Sequence, residues 1–206
     1  MHKYNLGFIS DKDFFNHVKE MVLRLTESID LKKFSKNSID PIKMTVEMHT
    51  YQISLEEAVS REIARQMGKT VENAIGWFHQ NIFRYVSGWQ IEDSIIMNHA
   101  NNLYGVLAYP EQTHSACHIA EGIAIGNKSA TIYIIVPDGS IVVAKEDVST
   151  PDFTERIQRL SWQDFFNLAV RCNDGYAKLR IALNDALQDL HDDVCALQDK
   201  ISSIGR

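Results

Sequence analysis

The sequence predicts an α/β domain, a central mixed sheet flanked by helices, followed by a C-terminal heptad-patterned helix. Three observations predict it. Apolar residues recur at helical spacing up to Gly88, and runs of strand length follow from Trp89. Leu, Val and Ile then return at alternating spacings of four and three from Leu183. The order is helices, strands, helices, with no repeat and no low-complexity linker.

The first helix opens at Ser10, with Asp13 three residues on as a capping box, and carries Phe14, Val18, Met21, Val22 and Leu25 on one face. Asp40-Pro41 interrupts the chain, and a helix across that bond is not expected. A second capping box, Ser54 with Glu57, opens a helix bearing Leu55, Ala58, Val59, Ile63 and Met67. Ala74, Ile75, Phe78, Ile82 and Val86 mark a third helix, ended by Gly88. Trp89 to Met97 and Leu103 to Tyr109 read as strands, with Asn101-Asn102 as the turn between them. His114 to Ile125 reads as a short helix stopped by Gly126-Asn127. In TIYIIVPDGSIVVAK two β-branched runs flank Pro137-Asp138-Gly139, which predicts a hairpin.

At 206 residues the chain has room for one domain plus an appendage. Its apolar content of 45% and charged content of 23% are those of a soluble globular protein. A net charge of -6 argues against a generally polycationic nucleic-acid binder but leaves room for a local basic groove. Cys117, Cys172 and Cys195 lack paired spacing, which argues against a disulfide framework and for a reducing compartment. No run resembles a signal peptide or a membrane span, so a cytoplasmic protein is expected.

At the C-terminus Leu187, Val194 and Ile201 fall at a positions, and Leu183, Leu190, Leu197 and Ile204 at d. Branched residues at most a positions with leucine at most d positions favour a parallel two-stranded coil, hence a homodimer or a hetero-complex through this helix. The alternative is an amphipathic helix lying on its own domain. The expected division is residues 1–175 as one domain and 176–206 as an association helix.

FISDKDFFNHVKE, IDLKKFSKNSIDPIK, REIARQMGK and AIGWFHQNIFRYVSGW occur in an order that resembles one family of type II restriction endonucleases, those cutting GGWCC- or GGNCC-type sites. ERIQRLSWQDFFNLA fits the family's late strand-helix element, so the resemblance spans most of residues 5 to 170. It implies a restriction-endonuclease-like fold of the PD-(D/E)XK kind, working on double-stranded DNA. The implied chemistry is Mg²⁺-dependent phosphodiester cleavage, with an Asp on one strand and an acid and a Lys on its neighbour. The carboxylates would hold the metal and the Lys would add positive charge beside the nucleophile.

In this family the sequence after the Gly-Trp runs roughly Gly-Phe-Asp-Val-Val-Asn, a turn, then Ile-Tyr-Val-Glu-Met-Lys. Asn98 and Tyr104 anchor the alignment here, and the metal-binding Asp then falls on Ile95, the second acid on Val106 and the Lys on Ala108. All three are apolar, so no catalytic residue and no cofactor is expected. Mg²⁺ would enter only with a relocated site.

Other constellations have simpler explanations in turns, packing and solvated surface. Asp138, Lys145 and Glu146 superficially match the nuclease pattern, but Asp138 is explained by the turn and Lys145 precedes the acid. His114 and His118, one helical turn apart, are incomplete as a metal site even with His99 or Cys117. Glu62, Glu92, Asp93 and Glu121 are acids that a relocated site would have to draw on. For DNA binding, Lys32, Lys33, Lys36 and Lys43 form a local basic patch that can neutralise phosphates. Gln80, Asn81 and Arg84 follow His79, and Gln and Asn can pair with adenine edges. A solvated face for the lysines and packing for the rest is the competing explanation.

Three functions follow. The first is a catalytically inactive homologue serving as a DNA-binding or scaffolding subunit, in a bacterial antiviral defence complex of the restriction-modification kind. The second is an active endonuclease with a relocated site. The third is a protein-protein interaction module that does not touch DNA.

Overall fold

Serine hydroxyls set the starts of the main helices in the computed structural model, which describes residues 3–28, 40–93, 95–108, 113–136 and 156–204. Helix α1 (Asp11–Ser28) begins where the Asp13 amide donates to Ser10 Oγ at 3.1 Å. Helix α3 (Leu55–Asn81) opens on a reciprocal pair, Glu57 N to Ser54 Oγ at 3.2 Å and Ser54 N to Glu57 Oε2 at 2.9 Å. Both caps are as expected from sequence.

Between them Asp40 caps helix α2 (Pro41–Tyr51) by accepting from the Ile42 amide at 2.8 Å. Asp-Pro here starts a helix rather than merely interrupting the chain, because proline at the first helical position gives up an amide that would have no partner. A second difference lies in α3. The two helices expected, one bearing Leu55 to Met67 and the other starting at Ala74, are one helix of 27 residues with Gly68 inside it, continued by a 3-10 turn at Ile82–Tyr85. A single interior glycine costs a helix about 1 kcal/mol, too little to end one this long.

The chain divides into two compact units that interleave in sequence. The first comprises Met1–Phe14 and His79–Asp185, and the second Phe15–Phe78 and Ala186–Arg206.

The first unit holds the sheet, in the order β1-β2-β3-β4-β5. Strands β1 (Gln90–Glu92), β2 (Ile95–Asn98) and β3 (Leu103–Leu107) form an antiparallel meander. The run from Trp89 to Met97, expected as one strand, is thus a hairpin, turned by Asp93 in the left-handed conformation (φ 51°). The polar Glu92-Asp93-Ser94 triplet is the signal for that turn. Strand β4 (Thr131–Val136) lies parallel to β3, and β5 (Ile157–Ser161) parallel to β4. Helix α4 (Thr113–Gly126) connects β3 to β4, and helix α5 (Trp162–Val170) follows β5.

TIYIIV is therefore the strand its β-branched run predicts, but the hairpin pairing is not made by it. From Ile132 to Ile135 its two edges are taken by β3 and β5. Pro137-Asp138-Gly139 and the run beyond lie outside the described residues.

Pleating assigns the two faces of the sheet. One face carries Val106, Ala108, Ile132, Ile134 and Val136 against Ala116, Cys117, Ala120 and Ala124 of α4. The other carries Gly105, Tyr133 and Ile135 under α5; a Cβ on Gly105 would stand 2.6 Å from Phe165 Cζ. On that side Phe83 meets Trp89, Trp162, Phe165 and Phe166 at ring-centroid distances of 5.5–5.8 Å.

The second unit is helical. His17 is buried in it, donating from Nε2 to the Phe78 carbonyl at 2.9 Å and lying against the rings of Trp77 and Phe78. This ties α1 to α3.

The C-terminal segment is two helices, α6 (Gly175–Asp189) and α7 (His191–Ile204), meeting at Leu190. The heptad register was expected on one continuous helix. The buried positions of α6 and its end are Leu179, Ala182, Ala186 and Leu190, of which only Leu190 belongs to the predicted seam. No helix among the described residues is long and apolar enough to cross a membrane, and all three cysteines are free.

Candidate functional site

The β2–β3 ladder brings together the positions singled out by the family resemblance. Ile95 is the direct cross-strand partner of Val106, and Ala108 follows on the same face of β3. Val106 and Ala108 are fully buried beneath α4, while Ile95 is half-buried nearer the sheet edge. A Mg²⁺ ion takes oxygen ligands, and this trio presents only methyl and methylene groups. The residues present do not fit the metal. Glu92 pairs with Ile95 in the same cross-strand row, a single exposed carboxylate on the edge strand. Among the described residues no group of three His, Cys, Asp or Glu side chains is placed to hold a metal ion.

The other sequence candidates separate. Gln80 Nε2 donates to the carbonyl of Asp93, so it braces the β1–β2 turn. Asn81 is buried, and Arg84 is exposed on the 3-10 turn that continues α3. Lys43 belongs to the second unit and is engaged: its Nζ lies 2.6 Å from Glu62 Oε2 and 3.7 Å from Glu47. Glu62 is a buried carboxylate that also accepts from Arg65 and Gln66. The Arg65 hydrogen bond, with those from Lys43 and Gln66, holds its acid well below the usual carboxylate range against the opposing cost of burial. That network explains Lys43 without a phosphate. Lys32, Lys33 and Lys36 lie outside the described residues, as do Asp138, Lys145 and Glu146.

His118 is exposed, with Nδ1 3.7 Å from Glu121 Oε2. The side chain of His114 lies outside the described residues. Cys117 is core, and His99 meets the Tyr104 ring edge-on. Among the association residues Leu190 and Leu197 are buried within this chain, while Leu183, Leu187 and Val194 are half-buried; the side chain of Ile201 is outside the described set.

Sequence reasoning missed two adjoining clefts in the first unit. One, of about 590 Å³, includes Ser10, Asp13 and Arg84. The other, of about 450 Å³, includes Asn98, Asn101 and Arg171. They share Gly7, Phe8 and the stretch from Val86 to Trp89. Trp89 Nε1 donates to the Ala169 carbonyl at 3.1 Å and so fixes the end of α5 beside the strands. Arg171 carried no sequence signal, because only the helix end turns it toward Asn98's cleft.

An antiparallel meander continued by two parallel strands, with helices on both faces, defines a mixed α/β domain of the restriction-endonuclease-like class. Residues 6–106 match the family profile described as Eco47II restriction endonuclease. Over 87 residues the chain is 39% identical to the type II restriction enzyme Eco47II of Escherichia coli, covering 41% of this chain and 36% of that one. It is 35% identical over 87 residues to the type II restriction enzyme Sau96I of Staphylococcus aureus, covering 41% of this chain and 33% of that one. Through this N-terminal half the chain is similar to the Eco47II restriction endonuclease family. The match spans about a third of the length of these curated relatives.

Proposed function

We propose that this chain is a catalytically inactive member of its family, a DNA-binding or scaffolding subunit whose sheet is kept while its metal-binding positions serve as core. One observation carries the reading. Val106 pairs with Ile95 and is fully buried against α4, where a metal-dependent nuclease needs charged oxygen ligands open to DNA. A carboxylate in that environment would be unpaired and desolvated. The relatives are type II restriction enzymes by name, and DNA binding is the property of that family the chain can retain without those acids. Arg84, exposed beside an open cleft, supports such a surface.

A role in a defence assembly, with a second copy or a different chain held through the C-terminal helices, belongs to the same proposal. The half-buried Leu183, Leu187 and Val194 are the contacts available for it. Duplex binding measured across a salt titration tests the DNA reading: a steep decline in affinity with salt is expected. Mg²⁺-dependent cutting of duplex DNA by the pure chain would overturn the inactive assignment. Affinity with no salt dependence, or none at all, would leave the protein-interaction module as the better account.

A further inference from the structure

Asn98 ends strand β2 on the α5 face of the sheet, opposite in face to Ile95 and about 10 Å further along the strand. It is only 6% exposed. Its Oδ1 accepts from both the backbone amide and the side-chain amide of Asn101, each at 3.2 Å. Those two bonds fix which way the carboxamide faces. Nδ2 is turned away toward Gly88, close enough that a Cβ on Gly88 would lie 3.5 Å from it. No acceptor among the described residues meets Nδ2. An otherwise buried side chain thus holds an amide donor in place at the wall of a cleft, with nothing among the described residues to donate to.

The rest of the cleft is built for an acceptor. Arg171 lines it from the end of α5, exposed, with φ 54°, and its guanidinium forms no ion pair among the described residues. Ser87 adds an exposed hydroxyl. No carboxylate among the described residues lines this cleft, although the chain as a whole carries a net charge of -6. Local charge is therefore positive where the global charge is negative. In the adjoining cleft Arg84 continues the cationic lining, and Asp13, its one acid among the described residues, is engaged by the Ser10 hydroxyl at 2.6 Å.

We propose that the Asn98 cleft is an oxyanion site that binds a phosphate group, with Asn98 Nδ2 and Arg171 as its donors. Asn98 supplies a fixed directional bond and Arg171 the charge, the pairing by which phosphates are held in partly enclosed sites. The phosphate has two possible sources, a phosphodiester of a nucleic-acid strand or a free phosphate compound. The proposal does not rest on the inactive-nuclease reading, since none of its residues is on the face that carries Val106.

The test is titration of the full chain with inorganic phosphate and, separately, with a short single-stranded oligonucleotide. Affinity is measured for the wild type, Asn98→Asp, Arg171→Gln and, as a control, Lys69→Gln on the exposed side of α3. Asn98→Asp keeps the acceptor oxygen that Asn101 uses and replaces the free donor with a repelling oxygen. Each cleft variant should weaken binding about tenfold or more, and Lys69→Gln should not. Binding of both probes in competition identifies a nucleic-acid strand; binding of phosphate alone identifies a small ligand. Should Asn98→Asp fail to fold, the wild-type Asn98 side-chain amide resonance decides, since phosphate should shift it. Failure of both probes to bind, equal affinity in all variants, or an unmoved Asn98 resonance would overturn the proposal.

Discussion

Ile95 and Val106 face each other across the β2–β3 ladder, one half-buried near the sheet edge and the other sealed under α4. Introduced carboxylates should therefore behave very differently at the two positions. Val106→Glu should lower unfolding free energy by ~4 kcal/mol or more, because an unpaired acid is desolvated there. Val106→Ala should cost about 2 kcal/mol through the cavity it leaves. Ile95→Asp should cost about 1 kcal/mol, since part of that side chain already meets water. Chemical denaturation of the three variants checks the ranking.

Glu62 should impose a dependence of stability on acid. Its folded acidity is held below the unfolded value, mainly by Arg65, so its contribution is complete above about pH 4.5 and is lost as pH falls below that. Glu62→Gln should remove this component and cost about 1–2 kcal/mol at neutral pH, limited by the solvent exposure of Lys43 and Arg65. Melting temperatures of both proteins from pH 7 to about pH 3 would show the curves converging at the acid end.

A second pH window belongs to His79, whose ring stacks on Trp162 at 4.4 Å. Burial lowers its pKa from 6.5 to about 4. The unfolded chain therefore takes up a proton that the folded chain refuses, and stability falls as pH drops from about 6.5 towards 4. His79→Phe keeps a ring against Trp162 and should flatten the stability curve over that range. An NMR titration of His79 gives the folded value directly.

Gly105 has no room for a side chain. A Cβ there would stand 2.6 Å from Phe165 Cζ and 2.7 Å from Ile135 Cδ1, both on fully buried residues. Gly105→Ala should destabilise the chain by about 1–3 kcal/mol, and Phe165→Leu in the same chain should recover part of that loss. A double-mutant cycle in denaturant measures the recovery.

Local chemistry was legible in the sequence wherever one residue type decides the outcome. Ser10 and Ser54 announced their helices, Asn101-Asn102 the turn, and the β-branched residues of TIYIIV their strand. What failed depended on partners far along the chain. Strand β4 looked like half of a hairpin because its true neighbours, β3 and β5, are remote in sequence. The leucine register beyond Leu183 looked continuous because nothing in it marks the break at Leu190. Asn98 was visible only as a residue shared with the family; its idle amide exists only because Asn101 and Gly88 come together around it. Lys43 reads in sequence as a member of a lysine patch, and its ion pair with Glu62 on another helix is not visible there.

The central place of β4 also sets an order in time. The β1–β2–β3 meander needs only the turns at Asp93 and at His99–Asn102 to close, so its pairings are local and fast. Each edge of β4 instead closes a long loop, residues 108–130 on one side and 137–156 on the other. During synthesis the meander can pair while β4 is still unmade, leaving the outer edge of β3 open until Thr131–Val136 arrives. That bare edge is the moment at which a nascent chain is most exposed to pairing with a neighbour of its own kind.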